Sequence, residues 1–238
     1  MGYSQNEDYS DLTVIVPTLN EEGNIKKLIA ELSRRYKNIN IYVADDGSKD
    51  NTKREVEELR KNNKRIVFID RKNEKVHGLT ASVVDATKRV TTKYILVMDA
   101  DLQHPVSKVK DIYDKLAYFD LVVGTRNGIK SWSIRRRIIS SGITAISRTI
   151  FLIRRKKICK DMMSGFFGIR TQIFKNIIKR NPDGFVGEGF KVLLDILRMA
   201  DQNIRIGEVY YSTFAERKIG KSKMSTKHMV YTIKSICR

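Results

Sequence analysis

The stretch YILVMDADLQHP (94–105) runs apolar and then sets two carboxylates, Asp99 and Asp101, one residue apart. Like charges so close repel, and holding them beside a core is costly unless a cation lies between them. Residues two apart in a strand project to one side, so the spacing predicts that Asp99 and Asp101 share one divalent ion. Mg²⁺ and Mn²⁺ prefer hard oxygen ligands, usually a carboxylate or two completed by substrate phosphates. Gln103 offers a further carbonyl oxygen in the same turn. An Asp-x-Asp triplet also occurs in ordinary turns, so it needs company to define a site.

Company comes from two further strand ends. VPTLNEEGN (16–24) carries Pro17, Asn20 and Glu21, and VADDGSKDNT (43–52) carries Asp45 and Asp46. An acidic pair in that place can accept hydrogen bonds from a nucleotide base or ribose. The DDGS run reads equally well as a turn with a helix cap. Acidic or amide groups at three strand ends of one sheet exceed what caps alone explain. The histidines are His77, His104 and His228, and none stands out as a general base; His104 reads as a turn residue before Pro105.

The elements that must position these groups alternate. Apolar runs rich in Val and Ile at 11–17, 40–45, 65–70, 93–99 and 120–125 read as strands. Between the first two, Ile25, Leu28, Ile29 and Leu32 recur at helical spacing, and DGSKDNT supplies helix-start chemistry before Val56 and Leu59. Such alternation predicts an α/β fold with a mostly parallel sheet and helices on both faces, its ligands beyond the carboxyl ends of the strands. After residue 125 the rhythm changes. A long helical pattern over 131–157 shows a stripe of Ile134, Ile138, Ile146, Ile150 and Ile153 between arginine clusters. It reads as an amphipathic helix in a membrane interface or as an ordinary core-facing helix. Residues 184–200 read as another helix, 205–214 as a late strand, and the tail from Lys221 as helical.

Charge narrows the partners. Of 238 residues, 46 are Lys or Arg and 27 are Asp or Glu, a net +19. That excess fits a phosphorylated substrate, an anionic membrane surface or nucleic acid, or else a solvated basic surface. A nucleic-acid-binding protein would interleave basic and aromatic residues, but aromatics are 8% and acidic strand ends repel phosphate unless a metal intervenes. No window reaches the roughly 18 uncharged apolar residues of a membrane span, and the polar, acidic N-terminus has no signal-peptide core. Cys159 and Cys237 lack zinc spacing and suggest no disulfide framework. A phosphohydrolase with an aspartate nucleophile also places Asp-x-Asp after a strand, but near the first strand rather than mid-chain.

Several motifs in order, PTLNEE, DDGSKDNT, MDADLQHP, VVGTR, MSGFFGIR, GFKVLLDIL and FAERKIGKSKM, closely resemble the dolichol-phosphate mannose synthases of glycosyltransferase family 2, over roughly residues 12 to 224. The resemblance implies a GT-A (Rossmann-like) nucleotide-sugar-binding fold: residues 1–10 a polar tail, 11–220 the catalytic domain including the 131–157 interface helix, 221–238 a helical tail either cut before membrane segments or relying on interfacial helices. It implies mannose transfer from GDP-mannose to dolichol or another polyprenyl phosphate, inverting and dependent on Mg²⁺ or Mn²⁺. UDP-glucose or UDP-N-acetylglucosamine is the alternative donor. Pro17, Leu19, Glu21, Ala44 and Asp46 would line the nucleoside pocket. Asp99, Asp101 and Gln103 would hold the metal, with Ala100 packing nearby. Arg126 would sit by the sugar-phosphate, Arg136 and Ser140 would face the acceptor phosphate, and Arg217 and Lys223 would close over the site. Two departures stand out: Leu19 replaces a usual tyrosine, and Asp85 stands in HGLTASVVDA where a glycine is common. The basic clusters at 135–137 and 154–157 would dock the chain on an anionic membrane at its cytoplasmic face.

Overall fold

The computed structural model describes residues 7–127, 149, 151, 153, 154, 156–187 and 191–212. Its strands are β1 (Leu12–Thr18), β2 (Asn40–Asp45), β3 (Ile66–Asp70), β4 (Tyr94–Val97), β5 (Leu121–Arg126), β6 (Phe167–Arg170) and β7 (Ile206–Tyr211). They form one sheet in the order β3-β2-β1-β4-β6-β5-β7. The helices are α1 (Asn24–Arg35), α2 (Thr52–Asn62), α3 (Leu79–Arg89), α4 (Val109–Lys115), α5 (Thr171–Arg180) and α6 (Val192–Met199).

β1 is buried at every position, as a strand covered on both faces must be. Alternation divides its side chains between two cores. Leu12, Val14 and Val16 meet Ile25, Leu28, Ile29 and Leu32 of α1 on one face. Ile15 joins Val83 and Ala86 of α3 and Phe174 and Ile177 of α5 on the other. Each such side chain contributes about 1.5–3 kcal/mol of burial, so the α1 stripe alone is enough to pin the helix to the sheet.

The strands expected from the apolar runs all form, and β6 is an addition. It is four residues long and antiparallel to both β4 and β5. Two reversals cancel, so β5 runs in the direction of β4, and β7 pairs parallel to β5. The carboxyl ends of β1, β2, β4, β5 and β7 therefore open on one rim, joined there by the amino end of β6. Pro17 fits near that rim because the β1–β4 ladder stops at Ile15 and Val97, so its missing N–H leaves no bond unmade.

Three expectations need correction. The helix read over 184–200 is confined, among the described residues, to Val192–Met199. Ahead of it the chain loops, and the buried Asp195 carboxylate accepts the Val186 N–H at 3.1 Å. Second, residues 7–10, read as part of a polar tail, pack on the domain. Tyr9 is buried, with its ring centroid 4.9 Å from that of Tyr36, and Glu7 meets Lys110. Third, the strand read over 93–99 stops at Val97, so strand geometry does not reach Asp99. The interface helix of 131–157 lies outside the described residues except for a few positions, among which Phe151 is buried and Ile153 exposed. The tail of 221–238 lies outside them entirely. Among the described residues no helix is long and apolar enough to cross a membrane.

Candidate active site

β4 ends at Val97, so Asp99 and Asp101 stand in the turn beyond it, outside strand alternation. Leu102 takes a left-handed backbone conformation (φ 61°), uncommon for a branched residue, and its side chain packs on the core beneath. Buried Ala100 seats the turn, and the Gln103 N–H points to Asp101 Oδ1 at 3.3 Å.

His104 is more than the turn residue it reads as. It is buried, its ring stacks on Phe166 at 5.1 Å, and Nδ1 accepts the Asp99 N–H at 3.1 Å. An Nδ1 that accepts leaves the proton on Nε2, which lies 3.8 Å from Asp99 Oδ2. Burial pushes the imidazole pKa below its ordinary value, against the pull of Asp99 and Asp101. A neutral ring already committed at Nδ1 is no general base; it orients Asp99. On the other side of the carboxylate lies Gly165. A Cβ there would come within 3.0 and 3.2 Å of the two Asp99 oxygens, so the glycine is what leaves the carboxylate room.

The donor set fits a divalent cation of the hard kind. The Asp99 side chain keeps 37% exposure, Asp101 is two residues away, and the cradle at Gly165 is open. Among the described residues no group of three or more His, Cys, Asp or Glu is gathered for a metal. Two carboxylates and an amide oxygen suit an ion that takes its other ligands from substrate phosphates and water.

Across the rim, Arg126 at the end of β5 forms a bidentate pair with Asp161, Nε to Oδ2 at 2.6 Å and Nη2 to Oδ1 at 2.9 Å. Burial works against its charge, but Asp161, with Tyr211 and Asp99 nearby, outweighs that and raises its pKa. Asp161 escaped the sequence reading. It stands three residues before the Ser-Gly step of MSGFFG, and its only signal was an acid close to a small-residue turn. That turn is fastened to β5: the Gly124 N–H donates to Phe166 O at 2.8 Å, and Ser164 Oγ donates to Gly124 O at 2.7 Å. Lys191 of the GFK motif adds a bond to the Met163 carbonyl at 2.9 Å.

The β1 and β2 ends look different. Asp45 is buried and accepts from Thr18, Gly47 and Ser48, so it builds its own turn. Asp46 accepts from buried Arg71, from the Gly78 N–H at 2.7 Å and from His77 Nδ1 at 3.1 Å. Gly78 has φ 136°, a conformation open essentially to glycine alone, and so reaches the carboxylate while starting α3. Arg71 also meets Ser82 at 2.9 Å and Asp85 at 3.0 Å, so the departure at Asp85 is a second counter-ion. The Glu21 N–H donates to Thr52 Oγ1 at 2.8 Å, and its carboxylate accepts from Asn24. Pro17 and Ala44 are buried, whereas Leu19 is 42% and Val76 45% exposed.

Pro17, Leu19, Glu21, Ala44, Asp46, Asp99, Ala100, Asp101, Gln103 and Arg126 all stand at or just beyond the ends of β1, β2, β4 and β5. Arg136, Ser140, Arg217 and Lys223 lie outside the described residues.

A carboxylate pair beyond a central strand, on the rim of a mostly parallel sheet flanked by helices, defines the GT-A class of glycosyltransferases. Solved structures bear out the fold. Glucosyl-3-phosphoglycerate synthase from Mycobacterium tuberculosis, in complex with Mn²⁺, UDP-glucose and phosphoglyceric acid, superposes with a TM-score of 0.66 at 17% identity, covering 95% of this chain and 79% of that one. The same enzyme with Mn²⁺, UDP and glucosyl-3-phosphoglycerate gives 0.63 at 16%, over 94% and 77%. The chain belongs to glycosyl transferase family 2, whose model matches residues 13–178. Among curated relatives, the dolichol-phosphate mannosyltransferase of Saccharomyces cerevisiae is 32% identical over 95% of this chain and 85% of its own. That of Pyrococcus furiosus is 31% identical over 95% of this chain but 63% of its own length, and that of Mycosarcoma maydis 33% over 91% and 74%.

Proposed function

We propose that the chain transfers mannose from GDP-mannose to dolichyl or another polyprenyl phosphate, with inversion, at the cytoplasmic face of a membrane. The observation that carries this is the similarity, at 31–33% identity over nine-tenths or more of the chain, to three relatives named for dolichol-phosphate mannosyl transfer. Residues 11–220 form the catalytic unit in this reading, and the net charge of +19 favours an anionic lipid surface and a phosphate-bearing acceptor.

The acceptor phosphate, with a second pKa of about 6, is mostly dianionic near neutral pH and needs no general base. The committed, neutral His104 agrees with that economy. One oxygen of the phosphate attacks the anomeric carbon of mannose from the face opposite the nucleotide, the bond to GDP breaks, and the configuration inverts. Arg126, held flat by Asp161, presents a fixed positive plane toward the reacting phosphates. Arg136, Ser140, Arg217 and Lys223 are assigned to the acceptor and to closure by the family pattern alone. Pro17, Leu19, Glu21 and Ala44 border the nucleoside, and Asp46 does so through the 71–78 loop it anchors. Asp99, Asp101 and Gln103 would hold Mg²⁺ or Mn²⁺, which supplies charge neutralisation of the departing diphosphate.

The test is thermal stabilisation by GDP against UDP, each with Mn²⁺ and with chelator, beside a transfer assay from labelled GDP-mannose to a polyprenyl phosphate. GDP with Mn²⁺ at a hundred times its Kd is expected to add about 2.7 kcal/mol, and chelator to remove most of it. A larger shift with UDP would move the assignment to a UDP-sugar donor. No shift with either nucleotide would end it.

A further inference from the structure

Tyr211 closes β7 directly opposite Arg126 of β5. Its side chain is 3% exposed and its ring is walled in: Phe166 meets it edge-on at 5.5 Å and His104 at 6.1 Å. A Cβ on Gly124 would come within 3.1 Å of the ring, so its seat depends on that glycine. The hydroxyl at the end of this fixed ring is buried and finds no hydrogen-bond partner among the described residues. The charges around it are those of Arg126, Asp161 and Asp99, and Ser164 is the hydrogen-bonding side chain beside it. The contact with Ser164 does not reach hydrogen-bonding geometry, and Ser164 Oγ directs its proton to Gly124 O at 2.7 Å while accepting the Phe166 N–H at 3.1 Å. The Asp161 oxygens are taken up by Arg126 at 2.6 and 2.9 Å.

Unpaired buried hydroxyls are rare and destabilising, and phenylalanine would fill the same space without that cost. A hydroxyl kept in such a place calls for an acceptor that arrives from outside. Next to a guanidinium already braced by a carboxylate, the acceptor that gains most is an oxyanion, because Arg126 attracts it while the phenol donates to it. Burial raises the phenol pKa, so it remains a donor throughout the working range.

We propose that Tyr211 is a substrate-contacting residue whose hydroxyl donates a hydrogen bond to a phosphate oxygen bound beside Arg126. The inference rests on the transferase reading above and deepens it; the phosphate belongs either to the acceptor or to the donor's diphosphate, and the experiment separates the two.

The variant is Tyr211→Phe, which keeps the ring and removes only the donor. Its melting temperature without ligand is expected to equal or slightly exceed that of wild type, because an unmatched polar group is gone. Steady-state transfer from GDP-mannose to a short-chain polyprenyl phosphate is then measured with each substrate varied. Loss of one hydrogen bond to a charged group predicts a fall of about ten- to a hundred-fold in kcat/KM for the substrate that owns the phosphate. A rise in KM confined to the polyprenyl phosphate assigns the contact to the acceptor. A rise confined to GDP-mannose, with weaker GDP binding, assigns it to the diphosphate. Unchanged parameters for both substrates overturn the proposal, as does a ligand-free melting temperature lower by several degrees, which would make the hydroxyl structural. Thermal stabilisation by the polyprenyl phosphate alone, and by GDP with Mn²⁺ alone, is read in parallel for wild type and variant. If wild type binds either ligand and Tyr211→Phe does not, the contact stands even where no mannose is transferred, and only the reaction assignment fails.

Discussion

The two halves of the rim are built on opposite principles. At the ends of β1 and β2 the polar groups serve one another. Asp45 caps its own turn, Asp46 is enclosed by Arg71, His77 and Gly78, and the Asn20–Gly23 loop is laced to 48–55 by Asn20, Glu22, Asp50 and Glu55. Around β4, β5 and β7 the groups are braced from behind: Asp99 leans on His104 and Gly165, Arg126 on Asp161, and buried Tyr211 ends in a hydroxyl with no hydrogen-bond partner among the described residues. The first half is a preformed wall. The second is, in the proposed function, where a ligand completes the bonding, and binding energy realised there can act on the reacting centre. Acidity alone did not tell the two apart; partners did.

The sharpest way to test that division is Asp101→Ala. Its carboxylate accepts the Gln103 N–H at a long 3.3 Å within the turn, away from the buried cores. Transfer should fall by about a thousand-fold or more, since charge stabilisation of a leaving diphosphate is worth several kcal/mol. Circular dichroism and the melting temperature should stay at wild-type values. Full activity in this variant would remove the metal role from the turn.

Asp161→Asn comes next. The amide cannot neutralise Arg126, whose side chain is 21% exposed beside an Asp161 side chain of 14%. Breaking a buried pair costs about 3–5 kcal/mol, and the partial exposure here lowers that to about 2. The melting temperature should drop by about 4–8 °C. Activity measured at a temperature where the variant is folded should fall by about a hundred-fold, because the guanidinium loses its orientation. A variant that melts early but turns over normally would move Arg126 into the wall.

Arg71→Met probes the other half. The guanidinium is 2% exposed and Asp46 9%, so its loss leaves a buried carboxylate with His77 and one N–H. A stability loss of about 3 kcal/mol is expected by chemical denaturation, with kcat in the folded enzyme changed less than about ten-fold. The reverse pattern, intact stability with abolished transfer, would show Arg71 working on substrate and would erase the distinction between the halves.

Much of this was legible in advance because the signals were local. Val- and Ile-rich runs marked the strands from β1 to β5, the stripe Ile25, Leu28, Ile29 and Leu32 marked α1, and acidic residues at strand ends marked the rim. The hidden features were those created by chain reversal and by pairs distant in sequence. β6 is only four residues and owes its existence to lying between β4 and β5. Asp161 is 35 residues from Arg126, and Tyr211 gains its meaning from its register with β5. The turn holding Asp99 and Asp101 was read as strand because strand spacing places two carboxylates on one side just as well; the left-handed Leu102 was invisible to any pattern.

The finest division within the wall concerns Asp85, the acid standing where a glycine is common. It meets Arg71 at 3.0 Å and Lys88 at 3.0 Å, but its side chain is 28% exposed against 9% for Asp46. Solvent screens the outer pair far more than the inner one, so Asp46 is the principal counter-ion of Arg71 and Asp85 an auxiliary. Asp85→Asn should therefore cost about 1 kcal/mol or less in a urea titration, with transfer unchanged. The difference should shrink further at about 1 M salt, where the screening length falls to about 3 Å. A loss as large as that of Arg71→Met, persisting in salt, would reverse the ranking. The loop bearing His77 and Gly78 would then hang from α3 rather than from the end of β2, and the nucleoside side of the rim would be held from the helix layer instead of the sheet.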